Sequence, residues 1–287
     1  MSVRSFRATF ECAVAAQGVT TASRTAISAL RENPGGSDRR PIPPRFLRHS
    51  DEQTVVGLAA VLQAMDEEPL RDVCFDEWGV VAAPMFPGRL SGALTFQKYE
   101  QGGPAAISPH IIPQNSLHSV SSAISISLAM HGLNFGIGGG PEALAEGLTV
   151  AMTLVDHRLL PGLWLVLTQW WPEPVPDGLG STQTETTCLA VALGLRSVES
   201  GQQAGLTLRW TACPEADAMG TLVRVVSQAE ERAVAGGTQR SAAPLADLAS
   251  WLAEGAGRRS APWSFGLPWG GRVELAQANY LMHAKAA

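Results

Sequence analysis

Short apolar runs alternate along this sequence with longer segments of helical pattern, and that alternation is its strongest constraint on the fold. Four of the runs carry few or no charged residues: WGVVAAPMF (78–86), GLWLVLTQWW (162–171), TTCLAVALGL (186–195) and LTLRWTAC (206–213). Strands of this composition are buried on both faces, which requires helices on both sides of a sheet. The sequence therefore predicts an α/β fold, with helical layers packed on a largely mixed sheet.

The remaining elements follow from periodicity and from helix-terminating residues. A helix is predicted over 51–68, because acids occupy its first turn and apolar side chains recur on one face. Residues 115–132 predict a helix rich in serine and alanine that ends at Gly132. The other predictions are a first strand within 3–16, a linker with one short helix over 87–115, helices near 216–235 and 243–256, and a closing hairpin over 263–281.

Composition and charge argue against several classes of protein. The chain has 287 residues, of which 45% are hydrophobic, so it is long enough to bury a sizeable core. Its net charge is −5 with scattered lysine and arginine, so no nucleic-acid partner is expected. No apolar stretch approaches the roughly 20 residues that span a bilayer, and the start lacks a signal-peptide pattern. We therefore expect a cytoplasmic protein with no membrane span.

The cysteine pattern indicates neither a disulfide framework nor a metal site. Cys12, Cys74, Cys188 and Cys213 lie far apart and form no CxxC pair, which is typical of reduced cysteines. Cys12 and Cys188 fall in predicted strands, without the helix start or nearby histidine that would activate a thiol. No metal and no cofactor is expected.

A strand–turn–helix pattern at 131–152, HGLNFGIGGGPEALAEGLTVAM, is typical of an elbow that presents a nucleophile or a phosphate. Its turn holds only Gly138, Gly139, Gly140 and Pro141, which have no reactive side chain. The glycines lack GxGxxG spacing, which argues against a dinucleotide site. The serines of the preceding helix contain no GxSxG, which argues against a hydrolase.

Several stretches match one family in order and spacing: RFLRHSDEQTVVGLAAVLQAM, EWGVVAAPMFPG, the segment 106–155, TTCLAVALGLRSVESGQQAGLTLRW and WSFGLPWGGRVEL. Together they resemble a β-ketoacyl synthase of the thiolase superfamily. The short form resembles the chain-length-factor-like proteins of aryl-polyene and type II polyketide systems. The resemblance implies a thiolase-like fold, with two related βαβαβ halves in five layers. The halves would be 1–180 and a shortened 181–287, in one compact domain.

The resemblance also shows which catalytic residues are missing. The family's nucleophilic cysteine would begin the helix after the short strand, which is here the vacant position spanned by Gly140, Pro141 and Glu142. The family needs two histidines in its second half, yet His283 is the only histidine after His157. Without nucleophile and histidines, condensation by the family mechanism is not expected of this chain alone.

The same resemblance implies two interface elements. The dimer strand would be Asn134, Phe135, Gly136, Ile137 and Gly138, with glycines that permit close backbone approach. The tunnel and interface helix would contribute Ser116, His118, Ser119, Ser122, Ala123 and Ile126.

These implications favour a chain-length factor, a non-catalytic subunit that pairs with an active β-ketoacyl synthase and shapes its acyl tunnel. An acyl carrier protein is a further expected partner. One alternative is a homodimer that binds acyl chains or acyl carriers with no synthase. Another is an acyltransferase of altered chemistry, for which Glu142, His110 and His118 are the nearest titratable candidates.

Overall fold

The computed structural model describes residues 9–35, 42–43, 45–66, 70, 73–109, 111–174, 185–198, 205–211, 244–254, 259 and 261–277. Its strands are β1 (Thr9–Ser23), β2 (Gly79–Pro84), β3 (Asn134–Gly136), β4 (Leu163–Trp171), β5 (Thr187–Ser197), β6 (Leu206–Thr211), β7 (Trp263–Gly266) and β8 (Arg272–Gln277). Its α-helices are α1 (Arg24–Glu32), α2 (Glu52–Met65), α3 (Arg89–Gly102), α4 (Ile111–Gln114), α5 (Ser119–Leu128), α6 (Ala143–Asp156) and α7 (Pro244–Ala253).

All of these strands join one mixed sheet in the order β3-β2-β4-β5-β1-β6-β8-β7. Strand β2 runs parallel to both β3 and β4, whereas β5 is antiparallel to β4 and to β1. The predicted mixed sheet is therefore confirmed. Because β2, β3 and β4 are parallel, their carboxyl ends lie at the same end of the sheet, which is where open α/β sheets bind ligands.

Helices cover both faces of the sheet, as the charge-free strands predicted. Val80 and Ala82 of β2 pack in the core with α1, α2 and α5, whereas Val81 and Ala83 pack in the core with α6 and α7. The described residues thus form three layers, rather than the five that two full halves would stack. The reason is that β6, β8 and β7 extend the sheet of the first half through β1.

Several boundaries differ from the sequence predictions. The first strand runs to Ser23, and 87–115 holds the 14-residue helix α3 where a linker with one short helix was predicted. Helix α5 ends before Gly132, because Ala129 takes a left-handed backbone conformation (φ 51°). Helix α6 begins at Ala143, directly after Pro141 and Glu142. The helix predicted near 216–235, Cys213, His110 and His283 lie outside the described residues.

Among the described helices, none is long and apolar enough to cross a bilayer.

A buried glutamine on α2 forms hydrogen bonds near the carboxyl ends of the parallel strands β2 and β4. Gln53 is fully buried, and its amide Nε2 donates a hydrogen bond to the carbonyl oxygen of Met85 at 2.9 Å. The hydroxyl of Thr168, on β4, donates to Gln53 Oε1 at 2.7 Å. One side chain therefore fixes the end of β4 relative to the residue that follows β2.

Replacing Gln53 with methionine is expected to lower the free energy of unfolding by about 2 kcal/mol, because it leaves the buried hydroxyl of Thr168 and the carbonyl of Met85 without this partner. Urea denaturation of the variant and the wild type measures the difference. The matched control is Gln63→Met on the exposed face of the same helix, which should change stability by less than about 0.5 kcal/mol. Equal effects of the two substitutions would contradict this role for Gln53.

Candidate functional site

The elbow predicted at 131–152 is present. Beyond β3 the chain continues beside β2, where the backbone N–H of Gly139 donates to the carbonyl of Pro84 at 3.0 Å. Gly138 and Gly139 have φ angles of 84° and 86°, a left-handed conformation that glycine adopts without steric cost. Glu142 then caps the start of α6. The glycine run is therefore explained by the backbone path of the turn.

A cavity of about 710 Å³ opens at this elbow. The elbow supplies Pro141 and Glu142 to its wall, the end of β4 supplies Gln169 and Trp171, and the closing hairpin supplies the whole of β7. The volume falls in the range of small-molecule binding sites, and it lies where such sites occur in α/β sheets. This cavity is the candidate functional site.

Two of the three residues predicted at the vacant nucleophile position face this cavity. Pro141 and Glu142 line it, whereas Gly140 lies in the turn beside it, with open space around the position of a Cβ. None of the described lining residues is a cysteine or a histidine. Of the candidates for altered chemistry, Glu142 is at the cavity and His118 is not among its lining residues.

Sequence reasoning missed Glu173, the most perturbed carboxyl group in the cavity. Both of its carboxylate oxygens are buried with no hydrogen-bond partner among the described residues, and the nearest cation is Arg89, whose Nη1 lies 3.6 Å from Oε1. Burial raises the pKa of Glu173 from 4.5 to about 7, against a smaller lowering by Arg89. Glu173 follows the carboxyl end of β4, and that position was the one available signal.

Gln169 is the second polar group of the cavity that sequence reasoning missed. It is only 4% exposed, yet its amide Nε2 has no hydrogen-bond partner within the described structure. It lies between Leu167 and Trp171 in the alternating pattern of β4, and all three side chains line the cavity. The cavity wall is thus apolar apart from a few specific polar groups.

The predicted dimer strand, Asn134 to Gly138, lies at one edge of the sheet. Alternate residues of this segment form hydrogen bonds with β2. The N–H of Val80 donates to the Leu133 carbonyl at 2.7 Å, and the N–H of Ile137 donates to the Ala82 carbonyl at 2.9 Å. Asn134 and Gly136 therefore direct their backbone groups toward the open edge, where another strand could pair.

The predicted tunnel helix packs on the opposite face of the sheet from α6. Its residues Val120, Ile124 and Leu128 are buried in the core with α2. His118, Ser122 and Ile126 are four residues apart and face outward, and Ile126 is 67% exposed. None of the predicted helix residues lines the cavity: Ser116, His118, Ser119, Ser122, Ala123 and Ile126.

Five of those six residues separate into an inner and an outer group, and Ser116 lies before α5 begins. Ala123 is buried, and the hydroxyl of Ser119 accepts a hydrogen bond from Thr54 of α2 at 3.2 Å. His118 and Ile126 are exposed, with Ser122 half-buried between them. The outer group, on α5 and at its N-cap residue His118, is the surface that another protein could contact.

The cysteines of the sheet are unsuited to nucleophilic chemistry. Cys12 and Cys188 are fully buried in β1 and β5. Burial raises the pKa of the Cys12 thiol to about 12 and the pKa of the Cys188 thiol well above its ordinary value. Both thiols therefore stay protonated near neutral pH.

No family model and no curated protein matches the sequence. Three solved structures nevertheless align over most of the chain. The ishigamide ketosynthase/chain length factor aligns with a TM-score of 0.50 and 15% identity, over 78% of this chain and 73% of that chain. The ketosynthase ApeO in complex with its chain length factor ApeC, from Xenorhabdus doucetiae, aligns with a TM-score of 0.54 and 16% identity, over 93% of this chain and 99% of that chain.

The third structure is AntDE:AntF, a type II polyketide synthase acyl-carrier protein in complex with its ketosynthase bound to the hexaketide. It aligns with a TM-score of 0.55 and 12% identity, over 93% of this chain and 98% of that chain. At these identities the likeness concerns the fold, and it confirms the thiolase-like fold that the sequence predicted. This chain has the fold of the β-ketoacyl synthases and of the chain length factors that accompany them.

Proposed function

We propose that this protein is a non-catalytic, ketosynthase-like subunit that pairs with an active β-ketoacyl synthase and shapes the acyl tunnel in fatty acid or polyketide-type biosynthesis. The observation that carries the proposal is the 710 Å³ cavity at the elbow, whose wall has Pro141 and Glu142 where a nucleophile would stand. Such a site has room for a chain, and none of its described lining residues has a thiol to which the chain could be attached.

The sheet edge supports the pairing part of the proposal. Asn134 and Gly136 present backbone groups there that pair with none of the described strands, and a second strand of the same fold would satisfy them. The ketosynthase ApeO forms a complex with its chain length factor, which sets the precedent within this fold. We propose that residues 1–180 and 181–287 act as one unit in that complex, because β1 pairs with β6 across the boundary. An acyl carrier protein would serve the assembled pair.

Exposed apolar side chains concentrate in the segment between β2 and β3. Ile126 is 67% exposed on α5, and Phe96 is 72% exposed on α3. Large exposed apolar patches mark protein–protein interaction sites. The segment supplies six large exposed apolar residues: Leu94, Phe96, Tyr99, Ile112, Ile126 and Leu133. The open strand edge and this segment together are the proposed interface.

The proposal is tested by co-expressing the chain with an active ketosynthase from the same genome and measuring the mass of the purified complex. A one-to-one heterodimer is expected, with no elongation of acyl chains by this subunit alone. A homodimer that ignores the synthase would contradict the proposal and favour the acyl-binding homodimer. Elongation by the chain alone would contradict it as well.

Replacing Asn134 with proline is expected to lower the yield of the dimer at least tenfold, because proline removes the N–H that faces the open edge. Light scattering after size exclusion measures the change. The matched control, Asn134→Ala, loses the same side chain and keeps that N–H, so its dimer should survive. Equal loss in the two variants would assign the effect to the side chain, and an intact proline dimer would exclude pairing through this strand.

A further inference from the structure

The cavity holds two buried polar groups that find no hydrogen-bond partner among the described residues. Gln169 offers an amide N–H that donates no hydrogen bond, and Glu173 offers two carboxylate oxygens that accept none, although Arg89 Nη1 lies 3.6 Å from Oε1. An unpaired polar group of this kind costs roughly 1–3 kcal/mol when it is buried. A ligand that supplies both an acceptor and a donor would recover that cost.

The charges around the cavity restrict the ligand further. Three acidic side chains line it, those of Glu142, Glu173 and Asp247, whereas no described lining residue is a lysine or an arginine and Arg89 is the cation beside Glu173. A carboxylate or phosphate group inside the cavity would therefore meet repulsion at short range. The rest of the wall is mostly apolar, with Leu144 and Leu167 on one side and Phe265 on the other.

We propose that the cavity binds an aliphatic chain carrying a neutral secondary amide, whose carbonyl accepts from Gln169 and whose N–H donates to Glu173. The inference rests on the proposed function, from which the acyl chain follows. What it adds is the secondary amide that the chain carries. One secondary amide carries both the acceptor that Gln169 lacks and the donor that Glu173 lacks. A bare hydrocarbon satisfies neither group, and a fatty acid adds a further negative charge to a wall with three carboxyl groups.

Calorimetric titration of the purified full chain with three probes that share a ten-carbon acyl chain tests the proposal at pH 8. N-methyldecanamide has the acceptor and the donor, N,N-dimethyldecanamide has only the acceptor, and decanoate is an anion. The first is expected to bind about tenfold more tightly than either of the others, since a hydrogen bond to a charged group is worth roughly that factor. Equal affinities, tightest binding by decanoate, or no binding by N-methyldecanamide would overturn the proposal.

Two variants assign the effect to the named residues. Glu173→Met should remove the preference for the N-methyl over the N,N-dimethyl probe, and Gln169→Leu should weaken both amides about tenfold. The matched control is Asp247→Asn, which removes an exposed charge from the same cavity and should leave the preference intact. The comparison of probes on the wild type stands even if a variant fails to fold.

This result is separable from that of the heterodimer test. A heterodimer without an amide preference would contradict only the ligand class. An amide preference in a protein that forms no heterodimer would contradict only the partner and retain the ligand.

Discussion

Replacing Gly136 with alanine is expected to lower the free energy of unfolding by about 3 kcal/mol and to displace β3 from the sheet edge. A Cβ at this position would lie 1.8 Å from the carbonyl oxygen of Leu117 and 2.3 Å from its carbonyl carbon. Both are backbone atoms, so no rotation of a side chain relieves the overlap. The segment before α5 must move, and the proposed interface would move with it.

The matched control for Gly136 lies four residues further along the same elbow. A Cβ at Gly140 meets nothing within 4 Å, so Gly140→Ala should change stability by less than about 1 kcal/mol. Urea denaturation gives both values, and size exclusion in the presence of the synthase reports on the interface. A Gly136→Ala variant as stable as Gly140→Ala would show that the close approach of β3 to Leu117 is wrong.

Replacing Glu173 with glutamine is expected to stabilise the protein at pH 8 by up to about 3 kcal/mol. In the folded state burial raises the pKa of Glu173 from 4.5 to about 7, so the folded protein holds this proton more tightly than the unfolded chain. Stability from this group is therefore present below pH 4.5 and is lost as the pH rises to about 7. Each unit of difference between the folded and unfolded pKa corresponds to about 1.4 kcal/mol in the free energy of unfolding.

Glutamine keeps the shape of the protonated acid and cannot ionise, so the advantage of the variant should disappear near pH 4. Thermal and urea denaturation between pH 4 and pH 8 measure the difference curve. Asp51, whose pKa burial also raises to about 7, is present in both proteins and cancels in the comparison. Asp247→Asn is the control for removing a carboxylate from the same cavity. A variant that is less stable than the wild type at pH 8 would show that the contact with Arg89 outweighs burial.

The sequence predicted the parts of the fold that depend on local pattern. Strands β2, β4 and β5 were found because a sheet covered on both faces excludes charge from them. The elbow was found because a left-handed turn requires glycine, and Gly138 and Gly139 take that conformation. The mixed sheet followed from these elements together.

The rest depends on contacts that the chain does not encode locally. Helix α3 was missed because only Leu90 of its 14 residues is buried, which leaves no amphipathic period to detect. Glu173 was missed because a carboxyl group in a proline-rich loop carries no sign of burial until β7 and α7 close the cavity around it. Likewise, nothing in the α5 sequence distinguished the face that packs against α2 from the exposed face that carries Ile126.

The position of β1 in the sheet has a consequence for how the protein is made. Ser23 at the end of β1 pairs with Thr187, and Thr9 at its start pairs with Thr211, so β2, β3 and β4 must all be synthesised before β1 has neighbours. At about 5–20 residues per second this delay lasts on the order of ten seconds or more. A 15-residue strand then waits with both edges open, which favours slow folding and self-association on the ribosome. Slower translation would lengthen that wait, whereas a chaperone that shields the nascent strand should raise the yield of soluble protein.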